Sequence, residues 1–253
     1  MNHSDIHFLD LPNEILIIIL KKLGNVDVLY SLFGIKNERI DTLLEDSVFR
    51  NILDFVRTPP ITDEKLDRFC TDILPQRHHY IKKLIVDTTY MKRILLASDY
   101  PNLNSLELFS FGQDIVFRYF TDDSIFQHIF KYQITDLILH NNDEDLGEMS
   151  LNTYIVNVYA RIMVLFQNLK HLTVVPSPVN HYPPLSLCIQ EPTIDFSSTL
   201  TVLCIKVLSF YDCLALLDGR LKQLNTFIVQ VVYVNRPFNS SIHYPSITSN
   251  MVS

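Results

Sequence analysis

Apolar residues are densest near the start of the chain, in the segment LDLPNEILIIILKKLGNVDVLYSL at 9–32. Six consecutive aliphatic residues run through it from Ile15 to Leu20. A helix that covers a core on one side needs apolar residues at only three or four positions in every seven. The segment therefore has more aliphatic side chains than one buried face uses. We expect another surface to cover part of this excess.

The first helix is predicted from Pro12 to about Leu23. Proline is favoured in the first turn, Glu14 complements the positive end of the helix, and Gly24 follows as a stop. Helical spacing puts one set of apolar residues on a single face and directs Ile17 and Ile18 elsewhere. The residues on that face are Ile15, Leu16, Ile19, Leu20 and Leu23.

Two more helices are predicted before residue 57. Asp27 can cap the second helix, which has its apolar residues between Val28 and Phe33. The stretch IDTLLEDSVFRNILDF at 40–55 provides the third. A Thr-Pro-Pro sequence at 58–60 then breaks the helical pattern. We therefore predict a helical domain at 8–57, followed by a linker or first helical segment at 58–79.

One six-residue pattern recurs along the rest of the chain: an aliphatic residue, two mostly polar residues, Leu or Phe, any residue, and an aliphatic residue. Helix-like stretches separate the copies, as expected for parallel strands joined by helical crossovers. The copies are IKKLIV at 81–86, LNSLEL at 103–108, ITDLIL at 134–139, LKHLTV at 169–174, LTVLCI at 200–205 and LNTFIV at 224–229. Two of them share a preceding context, YPNL and FQNL.

This pattern is typical of the strand portion of a leucine-rich repeat. Intervals of 22, 31, 35, 31 and 24 residues separate the central positions, whereas such repeats have about 20 to 29 residues. The longer intervals should hold insertions, and 141–147 and 176–184 are the expected loops. We predict an irregular repeat solenoid at 80–235 with a curved parallel sheet, and a tail or the start of a further repeat at 236–253. An ordinary α/β domain with Leu-rich buried strands is the alternative.

Composition limits the classes of partner and compartment. The formal net charge of −7 argues against nucleic-acid or anionic-membrane binding, which requires a basic surface. The apolar run is much shorter than the roughly 20 residues that span a bilayer, and acidic residues precede it where a signal peptide would be positive. The four cysteines form no CxxC pair. We expect a cytoplasmic or nuclear protein with reduced thiols.

No segment of the sequence indicates catalysis, a metal or a cofactor. The chain contains no GxGxxG and no phosphate-binding loop. The acidic stretch NNDEDLGE lacks the Gly and Glu spacing of a calcium-binding EF-hand, and the adjacent pair His78 and His79 is poorly placed for joint metal ligation. We therefore predict a non-enzymatic protein without a cofactor.

The segment LPNEILIIILKKLGNVDVLYSL closely resembles the F-box. That family has Leu-Pro, then Glu followed by aliphatic residues, an aliphatic pair, a Leu, and an Asp-Leu/Val-Leu start to the second helix. Here the Cys-x-x-Trp cluster that the family usually has after the second helix is replaced by GIKNERIDTLL, and the chain has no Trp. The resemblance implies that the first two helices bind the adaptor Skp1. The residues implied in that contact are Leu11, Pro12, Ile15, Leu16, Ile19, Val28 and Leu29.

An F-box followed by leucine-rich repeats is a known arrangement of substrate receptors in ubiquitin ligases. The resemblance therefore implies a Skp1-like adaptor and cullin ligase core as partners of the helical domain, and a protein substrate on the repeat surface. A second hypothesis is a repeat scaffold that uses the helical domain only as an N-terminal cap. A third is an enzyme on an α/β sheet.

The target surface follows from the alternation of side chains along a strand. If the central Leu or Phe of each copy points into the core, the next residue and the one two positions further on must point outward. The outward residues predicted to contact a target are Ile85, Asp87, Glu107, Phe109, Ile138, His140, Thr173 and Val175. The same columns continue through Cys204, Lys206, Ile228 and Gln230. Their apolar members favour a protein target.

Overall fold

The computed structural model describes residues 8–56, 60–141, 158–159, 161–175, 199–217 and 221–233. Within these ranges seven parallel strands form one sheet, and their order in the sheet is their order in the chain. The strands are β1 (Ile52–Asp54), β2 (Lys83–Asp87), β3 (Ser105–Phe111), β4 (Asp136–Asn141), β5 (His171–Val175), β6 (Val202–Ser209) and β7 (Thr226–Tyr233). The prediction of an α/β fold with a parallel sheet is confirmed.

Helices precede the sheet and connect its strands. A 3-10 turn at Phe8–Asp10 leads into the first of them. The α-helices are α1 (Asn13–Leu20), α2 (Asn25–Leu32), α3 (Glu38–Leu44), α4 (Ser47–Arg50), α5 (Asp63–Arg68), α6 (Leu74–Arg77), α7 (Thr88–Leu96), α8 (Gln113–Tyr119), α9 (Arg161–Leu165) and α10 (Phe210–Leu216). π-helical turns occupy Phe69–Ile73 and Ile129–Gln133, and a 3-10 turn occupies His78–Tyr80. Helix α7 packs against β2 and β3, and α10 packs against β6 and β7.

The central residues of the six sequence copies align across the sheet as predicted. Each is the direct register partner of the next: Leu84, Leu106, Leu137, Leu172, Leu203 and Phe227. The five leucines are completely buried, and Phe227 packs against the core at its edge. Side chains around these positions therefore alternate between a buried face, which the helices cover, and an opposite face, here called the open face. The end of β6 departs from this alternation, because its residues 205–209 are all buried.

Each strand from β2 to β7 begins two residues after the start of its sequence copy, because the first residue of the copy belongs to the turn before the strand. Leu103 is an example: its N–H donates to Tyr100 O at 3.2 Å, and its side chain enters the core before β3 begins. Ile134 and Leu169 are buried in the same way. The first aliphatic residue of each copy thus covers the end of the core rather than extending a strand.

One backbone contact repeats at the start of successive strands. The carbonyl of the second residue of each copy accepts two N–H groups from the next copy: Lys82 O accepts from Asn104 N and Ser105 N, both at 3.0 Å. The remaining acceptors are the carbonyls of Asn51, Asn104, Thr135, Lys170 and Thr201, with distances of 2.8 to 3.0 Å. We call this contact the two-donor step. It joins β1 through β7 at their N-terminal ends.

The shared contexts YPNL and FQNL have a common structural cause. Asn102 Nδ2 donates to His79 O at 2.6 Å, and Asn168 Nδ2 donates to Tyr132 O at 2.7 Å. Each asparagine lies just before a copy, and its side chain donates to the carbonyl two residues before the preceding copy. Thr199 has the same position, and its Oγ1 donates to Gln167 O at 3.2 Å. A side-chain contact therefore supplements the two-donor step between these neighbours.

Phenylalanine rings fill the space between the helices and the middle of the sheet. Phe120 lies at the centre, with Phe130 and Phe166 each 5.1 Å away between ring centroids and nearly perpendicular to it. Phe111 lies 6.0 Å from the same ring. Edge-to-face geometry is favourable for aromatic pairs. Helix α8 (Gln113–Tyr119) connects Phe111 to Phe120 of this cluster. The sequence pattern did not predict a helix there.

The division predicted at residue 57 is corrected because the sheet starts before it. Strand β1 pairs with β2, so the predicted helical domain contributes the first strand of the sheet. Asn25 of α2 covers the outer edge of β1: its Nδ2 donates to Ile52 O at 2.7 Å and its Oδ1 accepts from Asp54 N at 3.1 Å. The helical unit is therefore continuous with the sheet, and the described part of 58–79 forms the helical connection from β1 to β2.

The predicted helices also differ from the observed ones in their bounds. Helix α2 begins at Asn25, so Asp27 lies in its first turn and forms an ion pair with Lys65 instead of capping. The predicted third helix divides into α3, α4 and β1, because the Asp46 side chain accepts from Val48 N at 3.0 Å and caps a new helix. The loops predicted at 141–147 and 176–184 and the tail at 236–253 lie outside the described residues, except that Asn141 is the last residue of β4. Among the residues described, no helix combines the length and the apolar character that crossing a bilayer requires.

Replacing Asn25 tests the junction between α2 and the sheet. Asn25→Ala leaves two backbone groups of a covered strand edge without their partner, so we expect a loss of about 1 to 3 kcal/mol in the free energy of unfolding. Urea denaturation measures it. Asn104→Ala is the control because that side chain is exposed and the hydrogen bonds of Asn104 within the described residues come from its backbone N–H and carbonyl, which alanine keeps. Equal stability of the two variants would contradict the assigned role of Asn25.

Candidate functional site

An exposed aliphatic surface lies on the outer side of α1 and just beyond its end. Ile15 is 43% exposed, Ile18 56%, Ile19 38% and Leu23 53%. We call these four residues the α1 apolar surface. Leaving one such side chain in water forgoes about 1.5 to 3 kcal/mol relative to burying it. This surface is therefore suited to contact with an apolar partner.

The α1 apolar surface exists because the helix is apolar on two sides. Leu16 and Leu20 are buried and face the chain's own core, where α1 packs against α3. Ile17 lies partly buried against the same core. The remaining aliphatic residues lie outside the arc that α3 covers. The excess of aliphatic residues noted in the sequence therefore divides between an internal and an external contact.

The residues predicted to bind the adaptor fall into two groups. Pro12, Ile15 and Ile19 are exposed and Leu11 is partly buried. Leu16, Val28 and Leu29 are 0 to 1% exposed, and this part of the prediction is corrected: they are covered by the chain itself, since α2 packs against α4 and β1. Ile18 and Leu23 were not among the predicted contacts. The sequence feature that could have identified them is the excess of aliphatic residues in this segment over the number that one buried helix face uses.

Arg39 of α3 holds the segment that leads into α1. Its Nε donates to Asn13 Oδ1 at 2.7 Å, and its two terminal nitrogens donate to Leu9 O and Leu11 O. The planar guanidinium offers donors in a fixed arrangement, which suits several acceptors at once. The position of Pro12 and of the first turn of α1 is thus tied to α3.

The open face of the sheet brings the predicted target-binding residues together. The register places one column side by side: Ile85, Glu107, Ile138, Thr173, Cys204 and Ile228 are successive partners. Asp87 pairs with Phe109, and His140 pairs with Val175 in the adjacent column. The eight residues predicted to contact a target are all partly buried, as expected for one uncovered side of a sheet. Lys206 differs, since it is buried.

A charged and aromatic cluster lies in the middle of the open face. Glu107 accepts from Lys83 Nζ at 2.7 Å and lies 2.8 Å from His140 Nε2. The His140 ring stacks on Phe109 with centroids 3.8 Å apart and planes 13° from parallel. Burial raises the pKa of Glu107, but the hydrogen bonds and charges of Lys83 and His140 outweigh it, so the pKa lies below its ordinary value. Glu107 is therefore the shared partner of Lys83 and His140.

A strained residue ends the regular part of β3 next to Phe109. Ser110 has a φ of 53°, which non-glycine residues rarely adopt, and the register with β4 shifts between Leu108 and Phe111. Its Oγ donates to Asp87 Oδ2 at 2.5 Å, and its carbonyl accepts from Thr88 Oγ1 at 2.8 Å. These contacts fix the backbone directly beyond Phe109. The backbone that carries the Phe109 side chain is thus held in place by these hydrogen bonds.

Two cysteines among the described residues have thiols that are disfavoured as nucleophiles. Burial raises the pKa of the Cys70 thiol, and burial with the nearby Asp212 carboxylate raises that of Cys213, so neither thiol favours the nucleophilic thiolate. In the part of the chain that the structure describes, no three His, Cys, Asp or Glu side chains are grouped to hold a metal ion.

Comparison with family models, with curated proteins and with solved structures gives no match to this chain. The two surfaces are therefore interpreted from their own geometry and from the sequence resemblance.

Lowering the pH tests the role of Glu107 in the cluster. A carboxylate whose pKa is depressed on folding stabilises the fold above its ordinary pKa of 4.5, and this contribution is lost as the pH falls through the lower folded value. We expect the free energy of unfolding to fall more steeply with acid in the wild type than in Glu107→Gln. The variant should be less stable at neutral pH because Lys83 loses its negatively charged partner.

Urea unfolding at a series of pH values measures both effects. Glu14→Gln removes an exposed carboxylate without an ion pair in the described ranges and should follow the wild-type slope. A Glu107→Gln profile parallel to that of the wild type would show that the cluster does not depend on the ionised carboxylate.

Proposed function

We propose that the chain is the substrate-recognition subunit of a ubiquitin ligase of the Skp1–cullin–F-box type. In this proposal the α1 apolar surface binds the Skp1-like adaptor, and the open face of the leucine-rich-repeat sheet binds a protein target. The F-box resemblance of residues 11–32 supports the first part. The sequential parallel order of the strands, which a repeat solenoid requires, supports the second.

The outward apolar character of α1 is the observation that carries the proposal. A unit that only caps a solenoid needs a polar outer face to remain in water. Here four aliphatic side chains at and just beyond α1 are 38 to 56% exposed, while its inner side already covers the core. A partner with an apolar groove would bury the outer side without disturbing the inner one.

The proposed mechanism works by placement. Two binding surfaces on one continuous chain bring a bound target close to the ubiquitin-loaded enzyme held by the ligase core. Such tethering raises the effective concentration of the two reactants. The transfer chemistry belongs to other subunits, which agrees with the sequence-based expectation that this chain is not an enzyme. The proposal also implies a cytoplasmic or nuclear location.

A scaffold without a link to ubiquitin is the second candidate. Asn25 forms hydrogen bonds with Ile52 O and Asp54 N of β1 and so covers the edge of the sheet. This contact favours the scaffold, because covering a sheet edge is what an N-terminal cap does. Both roles can coexist in one helical unit. Binding to purified adaptor distinguishes the two candidates.

Paired substitutions on α1 test the adaptor contact. Ile15→Ser with Ile19→Ser removes two side chains that we expect the adaptor to bury. At about 1.5 to 3 kcal/mol each, their loss should weaken binding to a Skp1–cullin complex by about a hundredfold or more. Surface plasmon resonance with the purified proteins measures the affinity.

Helix α10 offers a matched control. Leu214 is 49% exposed and Leu217, just after the helix, is 58% exposed, so Leu214→Ser with Leu217→Ser makes a comparable change far along the chain. Its adaptor affinity should equal that of the wild type. The ubiquitin-ligase proposal fails if folded wild-type protein does not bind the adaptor, and the assigned surface fails if both double variants bind equally.

A second pair of substitutions tests the open face. Phe109→Ser with Ile138→Ser should reduce ubiquitylation of the proteins that the wild-type complex modifies in a reconstituted reaction, by about tenfold or more for two lost apolar anchors. Adaptor affinity should not change. Phe117→Ser with Ile125→Ser is the control, since these two residues are exposed outside the sheet. Equal loss in both variants, or unfolding of the first, would contradict target binding by the open face.

A further inference from the structure

A polar cleft of 360 Å³ lies between the helical unit and the sheet. One wall comes from α4 and the residues beside it, including Arg50 and Asn51. The other comes from the residues that lead into β2 and β3, including His79, Lys82 and Asn102. Its volume is within the range of ligand sites in proteins. The two surfaces described above use none of these side chains.

The charge of the cleft is positive because one carboxylate faces more than one cation. Glu45 lies 3.3 Å from Arg50 and 2.8 Å from Arg77. Of the two contacts, the one to Arg77 is shorter, and the Arg77 side chain is 8% exposed. Because one carboxylate is shared by two cations, Arg50 is only partly neutralised and can also attract another anion. This cleft belongs to a chain with a net charge of −7.

Arg50 is held in place by an aromatic ring. Its guanidinium carbon lies 3.7 Å from the centroid of the Tyr80 ring, a distance typical of cation–π stacking. The His79 ring lies 3.8 Å from the same ring. Stacking keeps the guanidinium plane fixed, and a fixed guanidinium can donate two parallel hydrogen bonds to one oxyanion. Arg50 is thereby prepared to receive a ligand.

Lys82 adds a second cation to the opposite wall. Its side chain is exposed, and its ammonium forms no ion pair within the ranges that the structure describes. The neighbouring Lys83 points to the open face, where Glu107 binds it. Lys82, one residue earlier, lines the cleft instead. Asn51 and Ser47 line the cleft as neutral groups with hydrogen-bond donors.

We propose that this cleft binds a phosphate-type oxyanion, with Arg50 and Lys82 as its charged ligands and Asn51 and Ser47 as neutral donors. The volume exceeds that of a single phosphate group, so it can also hold part of the molecule that carries the phosphate. Bound anion would contact α4 and the start of β2 together. It would therefore strengthen the junction between the helical unit and the sheet.

Isothermal titration of the full chain with inorganic phosphate tests the site, against sodium chloride at equal ionic strength. Arg50→Gln and Lys82→Gln should each weaken phosphate binding by about tenfold or more, the effect of losing one hydrogen bond to a charged group. Lys92→Gln on α7 is the control because it removes the same charge from another exposed position. Its phosphate affinity should equal that of the wild type.

Lys82→Gln keeps the test valid if Arg50→Gln does not fold, because Lys82 makes no ion pair with any residue that the structure describes. No heat of phosphate binding above the chloride reference overturns the proposal, and so does equal weakening by Lys92→Gln. A second titration with N-acetyl phosphoserine amide identifies the source of the phosphate. Tighter binding than inorganic phosphate indicates a phosphorylated side chain, and equal or weaker binding indicates free phosphate.

Discussion

The two-donor step is the contact on which the rest of the molecule depends. A single carbonyl, such as Lys82 O, receives two backbone N–H groups from the next copy at 3.0 Å, and the same step recurs from Asn51 to Thr226. It sets the register of each strand against its neighbour. Because side-chain direction alternates along a strand, this register decides which residues enter the core and which form the open face. The position of Phe109 beside His140 is one result.

The sequence was sufficient to predict the sheet because its signal repeats. The central leucines of the copies were identified one by one from the spacing, and they are direct partners in the structure. Strand β1 was missed because Ile52–Asp54 has only three residues and follows a helical stretch. No periodicity can be read from so short a segment. Its pairing with β2 and the Asn25 contact become visible only in three dimensions.

Apolar periodicity was less informative for the candidate site. It identified α1 correctly, yet it could not tell an outer aliphatic arc from an inner one, so Leu16 was assigned to a partner and Ile18 was not. The difference depends on where α3 packs, which is a tertiary contact. The cluster around Glu107 was predicted in part, since alternation placed Glu107, Phe109 and His140 on one face. Its ion pair with Lys83 was not predicted because Lys83 lies two residues before Ile85, outside the two columns considered.

The agreement between strand order and chain order has a consequence for biosynthesis. When each strand from β2 to β7 leaves the ribosome, the preceding strand with which it pairs has already been made. The covered edge at β1 is synthesised first, with Asn25 already present to satisfy it. Strands can then be added to the sheet in order, from the β1 edge that Asn25 covers toward β7. The nascent chain would thus expose one growing edge at a time, which limits the surface available for aggregation during translation.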